Sequence, residues 1–140
     1  MKTILKDRIE YRNKSNQLHR LDGPALEYSN GDKFWFLYGK RHRTDGPACE
    51  YSNGGKSWYV EGKLHRTDGP ALEYSNGDKK WYIDGKRHRL DGPAIEFSDG
   101  TKSWFVEGKQ YSETEFIHKK IEFMHKFYPV KKPEYLKNSQ

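Results

Sequence analysis

One cysteine, Cys49, stands in 140 residues, so no disulfide can close within the chain. A lone thiol fits a reducing compartment, and a cytoplasmic location is expected. Aliphatic residues are also scarce. Hydrophobic residues make up 33% and the mean hydropathy is -1.16, with no apolar run near the ~20 residues that a membrane-spanning helix needs. The opening Met1-Lys2-Thr3-Ile4-Leu5-Lys6-Asp7-Arg8 is interrupted by charge too early for a secretory signal, so none is expected. Polarity alone does not make the chain disordered, because aromatic residues reach 15% and disordered chains are poor in them. This composition suits a thin sheet that buries large rings and little aliphatic surface.

A strong excess of one charge is missing from the middle of the chain. The net charge is +6, but residues 1–18 contribute +3 and residues 112–140 contribute +2, leaving only +1 for everything between. The basic excess lies at the two ends, where solvated lysines are common.

What is present is a repeat. His-Arg-x-Asp-Gly-Pro-Ala starts at His19, His42, His65 and His88, always 23 residues apart. Each copy continues with Glu, an aromatic residue, Ser, Asn or Asp, Gly, and then Lys, Trp and Gly. Segments 19–41 and 65–87 differ at only five of 23 positions. A fixed period of this length marks a repeat architecture. The expected fold is mainly β, an elongated array of stacked antiparallel β-hairpins with a C-terminal capping helix. It divides into an N-terminal capping strand or hairpin (1–18), four hairpin repeats (19–111), a helix (112–128) and a flexible basic tail (129–140).

Asn30-Gly31, Asn53-Gly54, Asn76-Gly77 and Asp99-Gly100 read as two-residue type I′ turns. Folding about them sets Leu26, Cys49, Leu72 and Ile95 opposite Trp35, Trp58, Trp81 and Trp104. It also sets Glu73 opposite Lys80, and Glu50 and Glu96 opposite Ser57 and Ser103. Alternation then predicts a core face of tryptophans with Leu37, Val60, Ile83 and Val106. The other face would carry Ala25, Ala48, Ala71 and Ala94 against Phe36, Tyr59, Tyr82 and Phe105, beside the glutamates. Cys49, in the place of Leu and Ile elsewhere, reads as a small core residue. After Gly108, Ser112 and Glu115 form a capping box. Phe116, Ile117, Ile121, Met124, Phe127 and Tyr128 make the expected apolar stripe of a helix that Pro129 ends.

The spacing of Tyr, Asn-Gly, Trp and Gly over 23 residues resembles MORN repeats, hairpins stacked into one elongated sheet. His-Arg-x-Asp-Gly-Pro-Ala with Glu-Tyr-x-Asn-Gly and Trp-Tyr-x-x-Gly-Lys is similar to repeats in many uncharacterised proteins of phages and large DNA viruses. The stretch Gly108-Lys109-Gln110-Tyr111-Ser112-Glu113-Thr114-Glu115-Phe116 is similar to their usual ending. The likeness covers about residues 8–117. Asp-Gly-Pro-Ala and the doubled basic residues depart from typical MORN repeats, so the lipid-binding and scaffolding roles proposed for those are not carried over. The resemblance implies a small viral accessory protein acting on a host factor in the host cytoplasm, and it brings no catalytic residues.

Equivalent histidines one hairpin apart stand ~10 Å from one another at ~4.8 Å per strand, too far to share a zinc ion that needs ligands within ~2.1 Å. A His-x-x-Asp pair suggests acid–base chemistry, yet it is copied identically four times with no nucleophile set apart. No catalytic, metal or cofactor site is therefore expected. The expected role is a non-enzymatic module that docks a protein, and the resemblance implies a phage-encoded inhibitor of a host defence protein. The alternative is a nucleic acid or nucleotide held along the His-Arg ladder. Candidate contact residues are His42, Arg43, His65, Arg66, His88, Arg89, Tyr59 and Tyr82. The chain is expected to be a monomer or an edge-paired homodimer.

Overall fold

A computed structural model describes residues 1–131. The expected flexible tail therefore lies, from residue 132 on, outside the described residues. The chain opens with an antiparallel hairpin, β1 (Lys2–Ile4) and β2 (Arg8–Tyr11). Each repeat then supplies two short hairpins. In the first repeat these are β3 (Leu26–Tyr28) with β4 (Lys33–Phe34), and β5 (Phe36–Leu37) with β6 (Lys40–Arg41). The second has β7 (Cys49–Glu50) with β8 (Lys56–Ser57), and β9 (Tyr59–Val60) with β10 (Lys63–Leu64). The third has β11 (Leu72–Glu73) with β12 (Lys79–Lys80), and β13 (Tyr82–Ile83) with β14 (Lys86–Arg87). In the last, β15 (Ile95–Glu96) pairs with a longer β16 (Lys102–Val106), which also pairs with β17 (Lys109–Tyr111). The opening hairpin, the four first hairpins and β17 join edge to edge into one 11-stranded antiparallel sheet. The second hairpins stack beside it as a narrower ladder. The fold is the mainly β array of stacked hairpins with a capping helix that the repeat predicts.

The register differs from the expected one. Leu26 pairs with Phe34, Cys49 with Ser57, Leu72 with Lys80 and Ile95 with Ser103, while Glu27, Glu50, Glu73 and Glu96 pair with Lys33, Lys56, Lys79 and Lys102. The slip of one residue arises in the turn. Tyr28 N–H donates to the Asp32 carbonyl and Gly31 N–H to the Tyr28 carbonyl, so the loop has three residues. Of Asn30 and Gly31 only the glycine has positive φ, at 99°. This is a type I turn closed by a left-handed glycine rather than a type I′ pair. The two-residue turns lie instead between the narrow strands. Tyr38-Gly39, Glu61-Gly62, Asp84-Gly85 and Glu107-Gly108 have positive φ at both positions.

A one-residue slip moves every side chain to the other face. The tryptophans thus share a face with the alanines, the glutamates and Leu37, Val60, Ile83 and Val106. The Leu, Cys and Ile row shares the opposite face with Phe36, Tyr59, Tyr82 and Phe105. The expected pairing of Trp with Leu, Cys or Ile does not occur. Trp35 N–H bonds the Ala48 carbonyl, and this Trp–Ala bridge recurs from Trp58 to Ala71 and from Trp81 to Ala94. All four alanines are fully buried.

The last repeat is covered on its Trp face by α1 (Glu113–Phe127). The Ser112 hydroxyl accepts Glu115 N–H and the Glu115 carboxylate accepts Ser112 N–H, completing the capping box. Phe116 and Phe123 are buried with Val106, and Leu90, Trp104, Tyr111 and Phe127 pack around them. The expected stripe is corrected here. Ile117 and Ile121 are 61% and 70% exposed, and Phe123 takes the central place in the contact. The sheet offers aromatic rings at this end, and the phenylalanines fit against them.

Candidate functional site

The repeated motif is a structural clip on the Trp face. Arg43 Cζ lies 4.0 Å from the Trp35 ring centroid. Its Nε donates to Asp45 at 2.8 Å, and its Nη1 donates to the Pro47 carbonyl at 3.1 Å and to Glu50 at 3.0 Å. Arg66 repeats these contacts with Trp58, Asp68, Pro70 and Glu73, and Arg89 with Trp81, Asp91, Pro93 and Glu96. Arg20 lies over Tyr11 instead, since no Trp precedes it. The Gly of Asp-Gly-Pro has a steric reason. A Cβ on Gly46 would stand 3.0 Å from Arg43 Cζ and 3.2 Å from both Nε and Nη2, over the guanidinium plane. The arginine side chains are only about one-fifth exposed, whereas their aspartate partners Asp45, Asp68 and Asp91 are more than four-fifths exposed. Hydrogen bonding to the arginines holds the Asp22, Asp45 and Asp68 carboxyls below the usual range.

Each histidine serves the neighbouring turn. His42 Nδ1 accepts Glu61 N–H at 3.0 Å, and His19, His65 and His88 accept Tyr38, Asp84 and Glu107 N–H. These donors are the left-handed non-glycine residues of the two-residue turns, and an acceptor at Nδ1 requires the neutral ring. Left-handed backbone costs such residues ~1–2 kcal/mol, which the histidine bond helps offset.

His88 packs against α1, with its ring 5.0 Å from Phe127. Burial pushes its pKa below the ordinary 6.5, outweighing the upward pull of Glu107. The unfolded chain therefore takes up this proton at a higher pH than the folded chain does, and stability falls as the pH drops below 6.5. Urea midpoints between pH 7 and 5 should show this loss. His88→Asn, whose carboxamide oxygen can accept the same N–H, should make the dependence shallower.

The candidate contact residues divide between the two faces. His42, Arg43, His65, Arg66, His88 and Arg89 lie in the clips, while Tyr59 and Tyr82 lie on the opposite face. That face has no helix over it among the described residues. Tyr51, Tyr74 and Phe97 stand along it in consecutive repeats, 39%, 46% and 37% exposed. Arg41 Cζ sits 5.5 Å from the Tyr59 ring and 5.9 Å from Phe36, and Lys80 Nζ sits 5.2 Å from Tyr74. Arg87 lies 5.1 Å from Phe105 and donates to the Tyr82 hydroxyl. A cavity of about 370 Å³ opens between Tyr51 and Tyr74, with Tyr59, Ser57, Leu64 and Leu72 in its walls. Cys49 and Ser57 are buried beneath this region, and burial pushes the Cys49 thiol up. Its signal in the sequence was Cys49 and Gly55, small residues found at their repeat positions in this repeat alone, beside Ser57, which recurs only as Ser103.

Among the described residues no three His, Cys, Asp or Glu side chains gather as metal ligands, and no helix is long and apolar enough to cross a membrane. The fold and these two faces define a β-hairpin repeat protein with a self-saturated motif face and an open aromatic face. Comparison with protein-family models, with curated proteins and with solved structures finds no match.

Proposed function

We propose that this chain is a non-enzymatic docking module for a protein partner and that it binds through the aromatic face. The observation that carries the reading is the uncovered row of Tyr51, Tyr74 and Phe97 with Arg41, Lys80 and Arg87 among the rings. Aromatic residues and arginine are the side chains enriched at protein interfaces and their hot spots. A rigid array also offers the extended surface that repeat proteins use for binding. The likeness to virus-encoded repeats makes a host protein, inhibited on binding, the first partner class to test.

Nucleic acid along the His-Arg ladder is the weaker reading. Those guanidinium groups are already paired, and each rung exposes an aspartate that repels phosphate. The test is affinity capture from host-cell lysate, with and without nuclease, using the wild type and a Tyr51→Ser/Tyr74→Ser variant. One protein retained after nuclease and lost from the variant is the expected result. Material that disappears with nuclease would move the function to nucleic acid.

A further inference from the structure

The aromatic face carries a second order of information, in where it departs from the repeat. The second repeat places Cys49 and Ser57 where the first has Leu26 and Phe34, and Gly55 where the first and third have Asp32 and Asp78. Gly55 and Ser57 line the cavity between Tyr51 and Tyr74, with Cys49 buried beside Ser57 on the neighbouring strand. The same repeat places Leu64 in its wall at the position held by Arg41 and Arg87 on either side. An apolar recess is thus flanked by cations.

Those cations differ from the clip arginines. Arg43, Arg66 and Arg89 each have two carboxylates. Among the described residues Arg41, Lys80 and Arg87 have no ion pair. The strand positions of this face from Leu26 to Phe105 contain no aspartate or glutamate. A positive rim around an apolar centre is complementary to carboxylates around an apolar anchor.

We infer that the partner presents a short acidic segment whose one bulky apolar side chain enters the recess between Tyr51 and Tyr74, a conclusion that rests on the docking function proposed above. Arg41 and Arg87 stand two repeats apart, four strands or ~19 Å at ~4.8 Å per strand. An extended chain covers that distance in about six residues. The acidic residues thus lie about three positions to either side of the anchor. A single-stranded nucleic acid fits less well. The cations lie over the rings on which bases would stack, and Leu64 interrupts the track a phosphate chain would follow.

The probe is a random twelve-residue peptide library displayed on phage, selected against the full chain, with a fluorescent dT12 oligonucleotide as the nucleic-acid arm. Enriched peptides should share one Leu, Phe or Trp with Asp or Glu on both sides. Ser57→Phe, which restores the first repeat's residue and fills the recess, should weaken a selected peptide roughly thirtyfold, the scale of an interface hot spot. Arg41→Gln with Arg87→Gln should weaken it and flatten its salt dependence. Thermal melting of each variant confirms folding, and Leu37→Met on the opposite face should leave binding unchanged. A basic consensus, no enrichment, affinity indifferent to Ser57→Phe in a folded variant, or dT12 binding tighter than any selected peptide overturns the inference. The two proposals separate in the lysate capture. A nuclease-resistant protein held equally by wild type, Ser57→Phe and the Arg41/Arg87 variant leaves docking standing and removes this inference. No retained protein removes docking itself.

Discussion

Arg66→Ala is expected to lower the unfolding free energy by about 3 kcal/mol, the effect of removing a charged hydrogen-bonding hub from a half-buried site. The guanidinium stacks 3.8 Å from the Trp58 centroid and bonds Asp68, the Pro70 carbonyl and Glu73. Its loss strips the indole and leaves the Pro70 carbonyl without this donor. Arg66→Lys should recover little, because an ammonium group cannot make this planar set of contacts. Gly69→Ala should act on the same clip. The added Cβ would meet Arg66 Cζ at 2.9 Å, and the four contacts leave that group nowhere to go. A cost of about 2 kcal/mol is expected for the alanine. The two changes should not add. With Arg66 already removed, Gly69→Ala should be nearly neutral, and chemical denaturation of the two single variants and the double variant reads the coupling directly. Additive losses would mean that Gly69 is required for another reason.

Phe123→Ala should destabilise by about 3–4 kcal/mol, as large-to-small changes of buried aromatic residues do. Phe123 is 7% exposed and its ring meets Tyr111 at 5.3 Å and Phe116 at 6.2 Å. Ile121→Ala, two positions away, should stay within about 0.5 kcal/mol, since its side chain is 70% exposed. Thermal unfolding of the pair measures both. Equal losses would show that α1 seats by its isoleucine face instead.

This contrast shows what the sequence could and could not reveal. The period, the hairpins and the helix with its Ser112–Glu115 cap were legible because each has a local signal. The seating of α1 was not. Residues 117, 121, 124 and 128 keep helical spacing as well as 116, 123 and 127 do, and only the rings waiting at Trp104 and Tyr111 decide between the stripes. The register failed for a related reason. Asn-Gly serves both a two-residue and a three-residue loop, and the choice was made by Tyr28 bonding Asp32, a contact with no composition of its own. That one-residue error reversed the faces, placing the candidate Tyr59 and Tyr82 with the wrong neighbours. His and Arg were conspicuous in the sequence as possible ligand contacts, but their partners (the left-handed turn N–H for one, an indole and two carboxylates for the other) came into view only with the chain folded.

The loops at the rim of the sheet have a mechanical consequence. Asp32 accepts Ser52 N–H at 2.7 Å, and Asp78 accepts Ser98 N–H at 2.8 Å, each tying one repeat to the next. Gly55, standing where those aspartates stand, has no side chain with which to tie Ser75. The array is therefore a beam with a notch at mid-span on one side, cut beside the recess that Gly55 and Ser57 line. Bending and twisting should concentrate there, so that the first two repeats and the last two behave as stiff halves about a compliant middle.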